Sequence, residues 1–194
     1  MRIIIEHFPR IIAVSLMALL VSVSAGADMA TGMQAAQLRD YPTAFNEFMA
    51  EAKAGNPRGQ AMVANMYRRG LGTTRSYKEA AAWYLKAAEQ GDAVAQYNLG
   101  ISYRDGIGVQ RNDTAALEWY RKAAVQGFTP AQINLGLRYA NGRGVEQDDV
   151  RGFAWLHLAA SKGDRTALEK RNALARRMTK EQVEAGANLA RTLY

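Results

Sequence analysis

The sequence predicts an all-α protein of stacked helical hairpins, an α-solenoid. Glycine and tryptophan recur every 36 residues in four columns: Gly55, Gly91, Gly127 and Gly163; Gly70, Gly106 and Gly142; Gly72, Gly108 and Gly144; Trp83, Trp119 and Trp155. Apolar residues also recur at helical spacing inside each unit. A period of this length is typical of hairpins that bury their apolar faces only against neighbouring hairpins.

Each unit is expected to contain two helices. In the unit 92–127 the spacing i, i+4, i+8 of a helix face occurs twice, in Ala95, Leu99 and Tyr103 and again in Ala116, Tyr120 and Ala124. Interior glycines at Gly100 and Gly136 cost helix stability, so we expect close packing between the two helices there. The Gly106-x-Gly108 turn predicts a helix end, and it lacks the strand and the full motif of a phosphate-binding loop.

Residues that cap helix N-termini recur with the same period. Asp40, Ser76, Asn112 and Asp148 precede the second helices, and Asn56, Asp92 and Asp164 precede the first helices. In the third copy Thr129, followed by Pro130, is expected to serve as the cap. Ser76 with Glu79 and Thr179 with Gln182 predict capping boxes.

The segment AQYNLGISYRDGIGV, followed by AALEWYRKAAVQG, resembles the Sel1-like repeat, a 36-residue relative of the tetratricopeptide repeat. The resemblance covers 56–163, with departures at Gly59, Gln60, Ala61 and Thr73 in the first copy and at Leu158 in the third. It implies a right-handed α-solenoid that scaffolds protein complexes, usually without catalysis.

The expected organisation is a signal peptide, a solenoid of three repeats and a cap at each end. The ranges are 1–27 for the signal, 28–55 for a degenerate capping hairpin, 56–91, 92–127 and 128–163 for the repeats, and 164–194 for C-terminal capping helices. The last helix carries a narrow apolar face of Val183, Ala187 and Ala190, which we expect to cover the open side of the solenoid.

The N-terminus has the composition of a secretory signal. Basic residues precede the apolar run 11–23, and Ala25-Gly26-Ala27 provides a cleavage site. Export to the periplasm or the medium is expected, with an uncleaved membrane anchor as the alternative. The chain contains no cysteine, which excludes disulfides, lipid attachment through cysteine and thiolate metal sites.

Few residues could support catalysis. The two histidines are His7, in the signal, and His157, in a tolerant column where a partly exposed side chain is expected. Asp148 and Asp149 are surface carboxylates, and Asp148 has a capping role. We therefore expect no enzymatic activity, no metal and no cofactor. A cell-envelope enzyme or enzyme inhibitor acting on cell-wall material remains the alternative.

The repeated tryptophans are expected to stabilise the core, because large aromatic side chains are mostly core residues. The alternative is that this aromatic column stacks against sugars or other ligands. The net charge is +7, or +6 without the signal. It is compatible with acidic proteins, anionic lipid headgroups or cell-wall polymers as partners, and hence with contact with the cell envelope, although a modest basic excess usually serves solubility. Export argues against nucleic acid.

A partner-binding groove is predicted on the side of each first helix that faces away from its hairpin partner. The alternative is that these positions are ordinary solvated or inter-repeat residues. The groove would bind an extended peptide or a helix of a protein partner, and the protein is expected to be a monomer. The predicted residues are Arg58, Asn65, Arg68, Arg69, Val94, Tyr97, Ile101, Arg104, Asp105, Ile133, Leu137 and Asn141, with Ala61, Pro130 and Ala140 at equivalent positions.

Overall fold

The computed structural model describes residues 29–193, in which all regular secondary structure is α-helical. The predicted signal peptide, 1–27, lies outside the described residues. Residues 29–37 form α1. The following helices are α2 (Tyr41–Lys53), α3 (Pro57–Arg69), α4 (Tyr77–Glu89), α5 (Ala93–Asp105), α6 (Asp113–Val125), α7 (Thr129–Asn141), α8 (Asp149–Ser161), α9 (Arg165–Ala175) and α10 (Lys180–Ala190).

The helices form a solenoid in which consecutive helices pack against each other. The hairpins α3/α4, α5/α6 and α7/α8 are joined in series by the contacts of α4 with α5 and of α6 with α7. This arrangement confirms the predicted all-α solenoid of helical hairpins. Because each hairpin contacts mainly its neighbours, the core is a series of clusters rather than one central core.

Side-chain caps begin most of the helices, as predicted. The Asp92 carboxylate accepts a hydrogen bond of 2.6 Å from the backbone N–H of Ala95, and Thr179 with Gln182 forms the complete capping box. Ser76 makes only half of its predicted box, by accepting a hydrogen bond from the Glu79 N–H.

The predicted cap at Thr129 is wrong. Thr129 is the first residue of α7, and Phe128 occupies the cap position without a side-chain hydrogen bond. The ring of Phe128 packs against the core cluster of the second and third repeats, 5.3 Å from the ring of Tyr97. Partial burial of this apolar ring therefore takes the place of a side-chain cap at the start of α7.

Glycine marks two kinds of close approach. A methyl group at Gly100 would lie 2.7 Å from a ring carbon of Tyr120, which confirms that the two helices of the hairpin press together there. Gly106 ends α5 in the left-handed conformation, with φ +68°. A methyl group at Gly108 would overlap the carbonyl of Tyr77, so the turn seats against the start of the second helix of the preceding repeat.

The tryptophans are less buried than predicted. Trp83 and Trp119 are half-buried, and the ammonium groups of Lys86 and Lys122 lie 4.0 Å from their ring centroids. Only Trp155 belongs to the core, with 5% of its surface exposed. The fully buried residues stand one position later in each repeat, at Tyr84, Tyr120 and Leu156.

The C-terminal helices cover the last repeat. Helix α10 packs against α8, with Val183 and Ala187 against the cluster that contains Phe153 and with Ala190 buried. This contact confirms the predicted apolar face. Across residues 29–193, no helix has both the length and the hydropathy needed to cross a bilayer.

Candidate binding site

A cavity, here the arginine pocket, lies between the C-terminal halves of α5 and α7. Its volume is about 470 Å³. Side chains from both helices and from the two turns that follow them form its walls. The lining residues are Arg104, Asp105, Arg111, Asp113, Asn134, Leu137, Arg138, Asn141 and Arg143.

Arg138 forms the buried wall of the arginine pocket. It stands in the column of Met66 and Ser102, which are both buried, and only 4% of its own surface is exposed. Its Nη1 donates to Asp113 Oδ1 at 3.0 Å and to the Arg143 carbonyl at 3.1 Å. These bonds join α7, the turn after it and the start of α6, and they satisfy a charge that would be costly to bury alone.

Arg104 is held in place by a neighbouring carboxylate. Its Nε and Nη2 donate to the two carboxylate oxygens of Asp105 at 2.7 and 2.6 Å. The Arg104 guanidinium lowers the pKa of the Asp105 carboxyl and Asp105 raises the pKa of Arg104, so both groups are charged at neutral pH. Nη1 of Arg104 also lies 3.5 Å from Asn134 Oδ1 on α7.

The arginine pocket has an excess of positive charge. Four guanidinium groups face two carboxylates, and Asp113 alone pairs with both Arg111 and Arg138. Hydrogen bonds first from Arg111 and then from Arg138 lower the pKa of Asp113. Within residues 29–193 the Arg143 guanidinium has no ion pair. This arrangement can bind an anion, and guanidinium groups match the geometry of a carboxylate.

A second cavity, here the apolar pocket, adjoins the arginine pocket on the other side of α7. Its volume is about 180 Å³. The two pockets share Leu137 and Asn141. The lining of the apolar pocket is completed by Ala140, Leu156, Lys170, Ala173, Leu174 and Arg177.

The rim of the apolar pocket is polar and fixed on one side. Arg177 donates to the two carboxylate oxygens of Asp149 at 2.6 and 2.9 Å, and also to the carbonyl of Ala140. The Arg177 guanidinium lowers the pKa of Asp149. Helix α9 thus contributes Lys170, Ala173 and Arg177 to the same face as α7, although the predicted groove stopped before α9.

The predicted groove residues divide into four groups. Four of them line the arginine pocket: Arg104, Asp105, Leu137 and Asn141. Tyr97, Ile101 and Ile133 are partly buried against the core clusters, and Val94 and Pro130 are exposed. The α3 residues Arg58, Asn65, Arg68 and Arg69 line neither pocket.

One α3 position has different surroundings from those predicted. Ala61 is buried in a core cluster, so it offers no groove surface. Arg58 is exposed and lies beside α1, with its Nη2 3.8 Å from the sulfur of Met33. Arg68 and Arg69 are also exposed.

Five residues of the arginine pocket were not predicted from the sequence: Arg111, Asp113, Asn134, Arg138 and Arg143. The one local signal was Arg138, a charged residue in a column that is otherwise small or apolar. On α9, a step of 36 residues from Asn134, Leu137 and Asn141 would have found Lys170, Ala173 and Arg177.

His157 lies outside both pockets. As predicted it is partly exposed, and its ring stacks on Phe153 with the centroids 5.7 Å apart. Burial lowers its pKa, with a smaller effect from the positive charges of Arg171 and Arg191. In the part of the chain that the structure describes, no group of three potential metal ligands occurs.

The repeats themselves identify the family. The Sel1 repeat model matches three consecutive segments, 57–92, 93–128 and 129–164. The chain belongs to the Sel1 repeat family. Proteins of this family generally mediate protein–protein interactions.

Two solved Sel1 repeat structures are similar. A Sel1 repeat protein from Oxalobacter formigenes has 32% identity and a TM-score of 0.74, over 83% of this chain and 68% of that one. The second, c5321, is a protective antigen of uropathogenic Escherichia coli with an SLR fold. It has 28% identity and a TM-score of 0.54, over 87% of this chain and 45% of its own. A comparison with curated proteins finds no match.

Proposed function

We propose that this Sel1 repeat protein is an exported, non-catalytic scaffold that binds a protein or peptide partner along the face formed by α5, α7 and α9. The observation that supports this most directly is the pair of adjoining pockets on that face. One pocket carries excess positive charge and the other is apolar. Convergent polar groups beside an apolar cavity are typical of binding sites.

Export is supported by the sequence of the N-terminus. A basic start, a short apolar run and Ala25-Gly26-Ala27 are the three parts of a secretory signal. The proposed location is the periplasm or the medium. Fractionation of cells that express the full chain, with the N-terminus of the purified protein sequenced, distinguishes cleavage after Ala27 from retention as an anchor.

Affinity capture from cell-envelope extract tests the scaffold function. The protein is immobilised, and Arg104→Glu and Arg68→Glu are compared with wild type. A control with the same charge change is Arg165→Glu, because Arg165 is 90% exposed and lines neither pocket. We expect a partner that wild type and the Arg165→Glu protein retain and that the Arg104→Glu protein loses.

The behaviour of Arg68→Glu shows how far the binding face extends toward α3. Loss of the partner in this variant extends the face over three repeats, and retention limits it to the pockets. Capture that is equal in all variants would contradict the assigned face. Sedimentation of the protein with cell-wall material, without any protein partner, would favour an enzyme or inhibitor acting on that material.

A further inference from the structure

We infer that the two pockets bind a peptide in which an acidic side chain and an apolar side chain are about three residues apart. This inference rests on the proposed scaffold function and specifies the chemistry of the partner. The acidic side chain enters the arginine pocket, and the apolar side chain enters the apolar pocket.

The arginine pocket has donors available for a carboxylate. Arg143 has no ion pair among the described residues, and Arg111 is 70% exposed and shares its only carboxylate with Arg138. Arg138 is fixed by its bonds to Asp113 and to the turn after α7. A rigid guanidinium beside two adaptable ones loses little conformational entropy when it binds an anion.

The charge of the pocket selects a single carboxylate over a polyanion. Two aspartates line the same cavity as the four arginines. Their carboxylates repel the closely spaced charges of phosphate-rich polymers and of anionic lipid surfaces, whereas one added carboxylate still meets a net positive pocket. A phosphate-rich polymer also has no apolar side chain to occupy the adjoining apolar pocket.

The apolar pocket is suited to one aliphatic or aromatic side chain. Leu137, Ala140, Leu156 and Leu174 supply its apolar walls. Its volume of about 180 Å³ is well below that of typical small-molecule sites, which measure about 300–1,000 Å³. A side chain of a longer peptide therefore fits better than an independent ligand.

The position of the pockets sets the spacing. Both pockets contain Leu137 and Asn141 of α7, but α5 completes the arginine pocket and α9 completes the apolar pocket, so they lie on opposite sides of α7. Packed helices lie about 8–10 Å apart, and an extended peptide advances about 3.3 Å per residue. About three residues of extended peptide therefore connect the two pockets.

Selection from a random peptide library tests the inference, with protein purified from cells that express the full chain. We expect enrichment of peptides that combine Asp or Glu with an apolar residue about three positions away. The dissociation constant of a selected peptide is then measured by fluorescence anisotropy for wild type and for three variants, Arg143→Glu, Ala173→Gln and Arg165→Glu.

Each variant has a specific expected effect. Arg143→Glu should weaken binding roughly tenfold or more, about 1.4 kcal/mol, and should make the affinity insensitive to replacing the acidic residue of the peptide with its amide. Ala173→Gln, an exposed change that fills the apolar pocket, should make the affinity insensitive to the apolar residue. Arg165→Glu should bind as wild type does.

The outcomes separate this inference from the scaffold function. Selected peptides without an acidic residue, or equal losses in Arg143→Glu and Arg165→Glu, would overturn the inference. The inference would also be overturned if no peptide is selected and the protein instead binds phosphatidylglycerol vesicles in a way that Arg143→Glu abolishes. A captured partner that is lost in Arg104→Glu would then still support the scaffold function, and failure of both experiments would remove both proposals.

Discussion

Buried glutamines join each repeat to the one before it. The side chains of Gln60, Gln96 and Gln132 donate to the carbonyls of Ala52, Ala88 and Ala124, each eight residues earlier, at 3.0 to 3.3 Å. These carbonyls lie at the C-terminal ends of the preceding helices, where the helix itself provides no donor. These glutamines are buried because their side chains hydrogen-bond backbone carbonyls at the ends of the preceding helices.

Tyr120 is the residue whose burial has the clearest consequence for pH dependence. Its side chain is fully buried, and its hydroxyl makes no hydrogen bond to another described residue. Burial raises the pKa of Tyr120 to about 12, while the positive charges of Arg104 and Arg138 act in the opposite direction. The folded state therefore keeps the proton at pH values where the unfolded chain, with a pKa of about 10, has lost it.

We expect the free energy of unfolding to fall as pH rises from 10 to 12, because ionisation favours the unfolded state in that window. Tyr120→Phe should be no less stable than wild type at pH 8. Between pH 8 and pH 11 its free energy of unfolding should rise by about 1 kcal/mol relative to that of wild type. Urea unfolding of both proteins at the two pH values measures this. A difference in stability between the two proteins that does not change with pH would show that Tyr120 has the same pKa in the folded and the unfolded state.

At the scale of the helix, the repeated tryptophan has two roles. Trp119 lies half-buried across the cluster of the preceding repeat, with Lys122 above its ring. Trp155 is a full member of its core cluster, against which Leu193 also packs. Trp155 is more buried than Trp119 because the chain after the third repeat packs over α8.

We therefore expect Trp155→Ala to lower the free energy of unfolding by about 3–5 kcal/mol, as for a buried aromatic residue. Trp119→Ala should cost less, about 1–3 kcal/mol, because part of the ring is already in water. Urea unfolding of the two variants at pH 7 compares them. An equal or larger loss for Trp119→Ala would mean that the contact between repeats, and not burial, determines the contribution of these residues.

For the whole molecule, stability depends on contacts between neighbouring hairpins and on a cover at the end. Helix α10 provides that cover, and Gly186 lies closely against α8. A methyl group at Gly186 would lie 2.8 Å from a ring carbon of Phe153. Removing this contact would expose the apolar face of α8 that α10 covers.

Gly186→Leu should displace α10 and cost about 1–3 kcal/mol, and the melting temperature should fall by roughly 2–4 °C for each kcal/mol. Ala185→Leu is the matched control, because Ala185 is exposed on the same helix. Hydrogen exchange should accelerate at residues 180–190 and on α8 in Gly186→Leu only. Equal melting temperatures for both variants would show that α10 adds little to the solenoid.

The 36-residue period was sufficient to predict the helical hairpins, the helix caps and the positions of close contact, because these depend on residues near one another in the chain. Asp92 caps its helix through a neighbour three residues away, and Gly100 presses against the second helix of its own repeat. Thr129 was the exception, since Phe128 takes the cap position and is partly buried against the core cluster of the second and third repeats.

The binding site depended on the tertiary structure. Arg104 and Arg143 are far apart in sequence, and they line one pocket because α5 and α7 lie side by side. Helix α9 joins the same face although its sequence has lost most of the repeat pattern. The period of the sequence determined which helices form, whereas the stacking of those helices determined which charges meet, because stacking brings together residues about 36 positions apart or more.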